Sequence, residues 1–232
     1  MKQALTKDEI KQLTDRLLDM AKSGRHLVAI AGAPGSGKST LSDSLCAQLN
    51  AARPGVAAVV PMDGYHFDDA VLREKGTLAR KGAPFTFDVG GLKSMLTRLR
   101  ANEEAEIAVP VFDRPRELSR AGARLIQRSI PLLLVEGNYL LLDQKPWSDL
   151  RPLFDLTVRI EVPMAELERR LLARWLDHGY SRPEAEAKAR GNDLPNAETV
   201  AHHWQATDLT LVQGQAPGLA AAPDSPPRSG QL

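Results

Sequence analysis

His26-Leu-Val-Ala-Ile-Ala-Gly32, continuing as Ala33-Pro-Gly-Ser-Gly-Lys38-Ser39, is the stretch from which the fold is read. Its first half is an apolar run, the pattern of a strand buried on both faces. From Gly32 the residues fit G-x-x-x-x-G-K-[ST]. Glycines in that pattern let main-chain N–H groups wrap an anion without Cβ clashes. Lys38 is then placed to meet β- and γ-phosphate oxygens, and the Ser39 hydroxyl to meet Mg²⁺. Leu41, Leu45 and Leu49 follow at helical spacing and predict a helix from Lys38 to about Asn50. The positive N-terminus of that helix points at the same anion. Gly32, Ala33, Pro34, Gly35, Ser36, Gly37, Lys38, Ser39 and Thr40 are therefore the candidate nucleotide contacts. The pattern defines a nucleotide-binding protein without choosing between kinase, ATPase, GTPase and transport motor.

Outward from this turn the chain alternates strands and helices. Further strands are read at Val56–Met62, Pro131–Val135, Leu156–Val162 and Asp208–Val212. Helices are predicted over 6–22 (Thr6 and Glu9 make a capping-box pattern), through Leu92, Met95, Leu96 and Leu99, and over 164–177 and 183–190. Residues 73–89 read as loop, and Ile107–Phe112 and Ala123–Gln127 as short strands with Pro115 between them. Such alternation implies an α/β fold, a parallel sheet flanked by helices on both faces. The predicted organisation is an N-terminal helix (1–24), one domain (25–213) with a lid at about 166–195, and a tail (214–232). Pro217, Pro223, Pro226 and Pro227, with no aromatic residue, make disorder the expectation for that tail.

Composition narrows the class. The chain has 232 residues, 43% of them hydrophobic and 25% charged, so a globular core is expected. The formal net charge of +1 gives no global basic excess for nucleic acid or an anionic membrane. Cys46 is the one cysteine, which suits a reducing compartment and makes no zinc cluster. The first 25 residues carry charges throughout, unlike a signal peptide, and no apolar run approaches the ~20 residues that span a bilayer. A cytoplasmic protein is expected.

In open α/β sheets, ligands sit at the carboxyl ends of the strands. There the sequence places Asp63 and Glu136. One carboxylate can hold a metal or its waters, and the other can take the proton of an attacking hydroxyl. An Asn-Lys-x-Asp guanine reader is absent from the sequence, which argues against a GTPase switch.

The ordered set Gly32-Ala-Pro-Gly-Ser-Gly-Lys-Ser39, Met62-Asp-Gly-Tyr-His-Phe67, Gly82-Ala-Pro-Phe-Thr-Phe-Asp88, Val109-Pro-Val-Phe-Asp113 and Val135-Glu-Gly-Asn-Tyr139 carries a resemblance over about residues 25–212. It resembles the uridine kinase, pantothenate kinase and phosphoribulokinase group of P-loop kinases. Within that group it is similar to a bacterial subgroup labelled fructose transport system kinase, or simply nucleoside/nucleotide kinase family protein. The resemblance implies a P-loop NTPase fold with a helical lid, ATP as phosphate donor and Mg²⁺. It makes Asp63 the catalytic base, Glu136 the magnesium support and Asp88 the holder of vicinal hydroxyls, a role that competes with capping the following helix. Phe112 replaces the tyrosine of uridine kinases, and no histidine follows it, which argues against uridine. Tyr65 and His66, in the Asp-Gly-Tyr-His wording, lean towards pantothenate kinases, although the acceptor segment of those enzymes is not recognisable. Arg114 and Arg116 are candidates for an anionic acceptor.

Arg169, Arg170 and Arg174 follow the Val162-Pro163 strand end. Arg170 and Arg174 share a helix face, while Leu167, Leu171 and Trp175 form the apolar stripe. In related kinases, arginines here close over the phosphates. The candidate set is therefore Asp63, Lys38, Arg174 and Arg170 for catalysis, and Ser39 and Glu136 for the metal. Asp63, Tyr65, His66, Asp88, Asp113 and Arg114 are the candidates for the acceptor. His202-His203 and Trp204 read as helix packing and surface. Cys46 reads as core, Trp147 and Trp175 as core or lid packing, and Asp193-Leu-Pro-Asn196 as a helix cap. The expected activity is ATP-dependent transfer to an alcohol of a sugar, nucleoside or pantothenate-like acceptor. The competing readings are a nucleotide kinase with a phosphate acceptor and a nucleotide-dependent regulatory ATPase. Expected partners are small molecules, not nucleic acid or membrane, with room for a homodimer.

Overall fold

The computed structural model describes residues 7–213, so the Thr6 cap and the tail from Gly214 lie outside the described residues. Helix α1 (Lys7–Met20) leads to strand β1 (His26–Gly32), helix α2 (Lys38–Ala52) and strand β2 (Ala57–Pro61). A 3₁₀ turn at Met62–Tyr65, helix α3 (Asp69–Glu74) and an irregular loop precede α4 (Val89–Ala101). Strands β3 (Glu106–Asp113), β4 (Leu118–Gln127), β5 (Leu132–Gly137) and β6 (Leu156–Glu161) come next. The chain then runs through α5 (Met164–Asp177), α6 (Arg182–Lys188), a π-helical turn (Ala189–Asp193), α7 (Leu194–His202) and β7 (Leu209–Val212).

Five strands form one parallel sheet in the order β2-β5-β1-β6-β7. The chain runs out from β1 to one edge, returns through β5, then passes β1 to β6 and the other edge. The apolar runs explain the centre: Leu27–Ala31, Leu132–Val135 and Val158 are wholly buried. At roughly 1.5–3 kcal/mol for each large aliphatic side chain, these strands dominate the stability. Leu41, Leu45 and Leu49 bring α2 onto the core, and Leu13 and Leu17 bring α1.

Register is what positions the site. Ile30 pairs with Glu136, and Pro61 also pairs with Glu136. The carboxyl ends of β1, β5 and β2 therefore finish at one level, where the phosphate loop, Glu136 and the Asp63 turn emerge together.

The two short strands are longer than the sequence indicates and stand outside the parallel sheet as an antiparallel hairpin, β3–β4. Pro110 cannot donate to a ladder, and the register shifts between Val109 and Val111. Beneath this irregularity, a Cβ on Gly64 would meet the Pro110 carbonyl group, with 2.7 Å to its carbon. The hairpin thus sits directly on the turn that carries Asp63.

Candidate active site

The phosphate loop is shaped by two left-handed glycines, Gly35 (φ 80°) and Gly37 (φ 84°). Ser36 N–H bonds within the loop to Ala33 O at 3.0 Å. Gly37 supplies no side-chain cap for α2, so the first-turn amides of that helix keep their donors. The Ser36 hydroxyl is buried without a partner. Unpaired donors, left-handed glycines and Lys38 together fit a polyphosphate. Gly32 and Ala33 are buried and serve the loop's shape: a Cβ on Gly32 would lie 2.5 Å from Ser36 Oγ. Thr40 is exposed on the first turn of α2.

Beside the loop, Ser39 Oγ donates to Glu136 Oε2 at 3.0 Å. Burial pushes the Glu136 carboxyl up, and the Lys38 charge opposes it. A hydroxyl and a carboxylate are hard oxygen ligands suited to Mg²⁺, which keeps several waters and takes phosphate oxygens. Among the described residues no three His, Cys, Asp or Glu side chains gather as a metal site of their own.

A cleft of about 570 Å³ opens in front of the loop. Pro34, Gly35, Lys38 and Arg174 line one part of it, and Asp63, His66 and Arg114 another. Asp63 Oδ2 accepts from Arg114 Nη2 at 2.5 Å, while Oδ1 accepts no hydrogen bond among the described residues. His66 is held between Phe87 and Phe112, at ring separations of 4.0 and 4.7 Å. Its Nδ1 lies 2.8 Å from the Asp63 carbonyl, which only accepts, so the proton sits on Nδ1 and Nε2 is left as an acceptor. Burial pulls the His66 imidazole below its ordinary value, against the Asp63 charge.

Five predicted contacts fall elsewhere. Asp88 does not line the cleft: it is exposed and its Oδ1 accepts from Gly91 N–H at 2.8 Å, capping α4. Tyr65 is only 8% exposed, with its ring in the core, and burial pushes its hydroxyl up. Asp113 faces Arg116 (3.8 Å) and Arg120 (3.6 Å) at the hairpin end, which also removes Arg116 from the cleft. Arg170 is turned behind the phosphate loop. Its Nε bonds Glu166 at 2.8 Å, and its Nη1 reaches Gln213 Oε1 at 2.8 Å and Gly35 O at 3.4 Å. Arg169 and Arg170 together hold the Glu166 carboxyl down at about 2.

The cleft also contains residues outside the candidate set. Asn138, Lys81, Asn192, Asp193 and Asn196 all line it. Asp193 makes no side-chain cap and has helical backbone angles, so the cap expectation is corrected. Pro195 was the legible signal in that segment, since proline fits the first turn of a helix. Lys81 sits in an irregular loop, where no periodicity marks it.

A five-stranded parallel sheet, a phosphate loop after its central strand, and carboxylates following β5 and β2 define a P-loop nucleotide-binding fold. No family model matches the chain. A solved structure from Silicibacter sp. TM1040, named "putative fructose transport system kinase", matches with a TM-score of 0.80 at 45% identity, covering 87% of this chain and 98% of its own. Escherichia coli YggC is 35% identical over 189 residues, 81% of this chain and 77% of its own. A Schizosaccharomyces pombe protein named "Putative uridine kinase C227.14" is 31% identical over 211 residues, 87% of this chain and 89% of its own. The chain belongs to the uridine kinase and pantothenate kinase group of P-loop kinases. Its class is that of ATP-using phosphotransferases acting on an alcohol group of a small molecule.

Proposed function

We propose that the chain transfers the γ-phosphoryl group of ATP to a hydroxyl of a sugar, nucleoside or pantothenate-like acceptor, with Mg²⁺ bound at Ser39 and Glu136. The observation that carries this reading is one cleft lined by both Lys38 and Asp63, with Asp63 fixed through one oxygen and free at the other. The free Oδ1 orients the acceptor hydroxyl and takes its proton as the bond to phosphorus forms. Loop amides and Lys38 hold the phosphates. Bound Mg²⁺ supplies charge neutralisation between the β- and γ-groups. His66 Nε2 accepts from a second hydroxyl of the acceptor, and Lys81 and Asn138 complete the polar wall. Helices α5 and α6 act as the lid, which brings Arg174 to the γ-phosphate and excludes water. Polar donors and acceptors around an open cleft support a hydroxylated acceptor over an apolar one. A single half-buried cysteine supports a reducing, cytoplasmic setting. Among the described residues, no helix is long and apolar enough to cross a membrane.

The test is ADP release with ATP and Mg²⁺ over a panel of hexoses, pentoses, polyols, ribonucleosides, pantothenate and sugar phosphates, against a blank without acceptor. One class should raise the rate well above the blank. Asp63→Asn should then lower turnover by about 10²–10⁴-fold while nucleotide affinity stays within about twofold. A rate that no acceptor changes would replace the kinase reading with a nucleotide-dependent ATPase. Undiminished turnover in Asp63→Asn would remove Asp63 as the base.

A further inference from the structure

Asp193 takes no part in the reading above, yet it is the most heavily engaged carboxylate of the cleft. Its side chain is 13% exposed. One oxygen, Oδ2, accepts from Arg174 Nη2 at 2.9 Å and from Trp175 Nε1 at 2.7 Å. A carboxylate withdrawn from water persists only where it is paired and hydrogen-bonded. Here the pairing also decides which edge of the guanidinium is occupied. Arg174 Nη1 and Nε make no hydrogen bond to the described residues, and Arg174 lines the cleft with Lys38. The free edge therefore belongs to whatever occupies the cleft.

The neighbouring residues hold a second segment of the cleft lining. Asn192 Oδ1 accepts from Arg80 Nε at 3.0 Å, and Asn192 Nδ2 donates to Lys81 O at 2.7 Å. Asn196 Oδ1 accepts from Arg80 Nη2 at 3.3 Å. Arg80 and Lys81 belong to the irregular loop on the acceptor side. Consecutive residues, Asn192 and Asp193, thus bind two separate segments that line one cleft, the Lys81 loop and helix α5. Both residues lie in the π-helical turn Ala189–Asp193, where neighbouring side chains already diverge by about 100°.

We infer that Asp193 is a positioning residue for Arg174. It aims the free edge of the guanidinium at the γ-phosphate position, and Asn192 and Asn196 anchor it to the acceptor-side loop. This rests on the donor-side reading above, in which Arg174 meets the γ-phosphate. A guanidinium held on one side by a fixed carboxylate reaches its target pre-oriented, with less side-chain freedom left to lose.

The test compares the affinity of the full chain for Mg²⁺ with AMPPNP, a non-hydrolysable ATP analogue, and for Mg²⁺ with ADP, both by calorimetry. The ratio of the two dissociation constants reads the grip on the third phosphate. Arg174→Ala should lower the preference for AMPPNP by about tenfold or more, as for loss of a charge-assisted hydrogen bond. Asp193→Asn, nearly isosteric, should lower it by about three- to tenfold. Added to Arg174→Ala, it should lower it no further, because the two act as one unit. Glu168→Gln, which alters an α5 surface pair with Arg190 (3.3 Å), should leave the preference unchanged. If Asp193→Asn fails to fold, Asp193→Glu moves the charge by one methylene, and the same preference must fall. A normal preference in a folded Asp193 variant with lowered thermal stability would overturn the inference and leave a structural role. So would additive losses in the double variant. If Arg174→Ala itself leaves the preference intact, the donor-side reading fails, and this inference fails with it. If Arg174→Ala lowers it and the Asp193 variant does not, the inference alone fails.

Discussion

Asp63 owes its usefulness to an asymmetry between its two oxygens. Arg114 occupies Oδ2, and Arg114 is itself largely exposed, so the pair contributes little to stability at a solvent-facing position. Its effect is geometric: it ties down Oδ2 and leaves Oδ1 without a hydrogen bond among the described residues. Asp63 and Glu136 were legible as site candidates because both end apolar runs, and strand ends converge in a parallel sheet. Asp193 was not legible, because its partners lie 18 and 19 residues back on another helix. His66 offers a test at this scale. Its imidazole is held below the ordinary 6.5 by burial, so the unfolded chain takes up the proton first as pH falls. The stability it contributes is present above about pH 6.5 and is lost as pH falls through the lower folded value. Denaturant titrations between pH 7.5 and 5.5 should show that decline in the wild type and a flatter profile in His66→Phe, which keeps the contacts to Phe87 and Phe112. Equal slopes in the two proteins would mean that His66 is not buried in its neutral form.

Among the elements, the hairpin and the Asp63 turn form one unit. Gly64 has no room for a side chain, since its neighbour is the main chain of Pro110, which cannot move without the strand. Gly64→Ala should cost about 1–3 kcal/mol by overpacking, measured by denaturant unfolding. It should also lower turnover, because it pushes away the hairpin whose end bears Arg114. An unchanged stability would show that β3 gives way freely at Pro110. The elements read from sequence share one property: their burial is periodic or continuous. β1, with all of Leu27–Gly32 buried, and α2, with its Leu41–Leu45–Leu49 stripe, are examples. The hairpin lacked that signal. β4 is exposed over most of its length and buried only at Ile126, so nothing in the sequence said that it would leave the main sheet. The π-helical turn is likewise invisible, since Ala189–Asp193 carries no pattern that separates it from an α-helix.

At the scale of the molecule, the parallel sheet fixes the phosphate loop, Glu136 and the Asp63 turn, and irregular segments carry Lys81 and Asn192 into the same cleft. That division explains why the phosphate site was readable from one motif while Lys81, Asn138 and Asn192 were not: their positions depend on loop paths set by contacts distant in sequence. Asp88 shows the converse. Capping preference and family likeness gave it two readings, and the structure places it as the cap. The pairing of Trp175 with Asp193 has an optical consequence. Of the three tryptophans, Trp147 is buried against Pro84 O at 3.1 Å, and Trp204 lies under the Arg159 guanidinium at 4.2 Å. Trp175 is the one that lines the cleft. Its indole emission is sensitive to the field of the carboxylate it donates to, and to any change in that bond. Saturating Mg²⁺ and AMPPNP should therefore shift the intrinsic emission of the wild type, and Trp175→Phe should abolish the response. A response that survives the substitution would assign it to Trp147 or Trp204. The enzyme thus carries its own reporter beside the arginine that it has to aim, and acceptors can be screened by light without waiting for turnover.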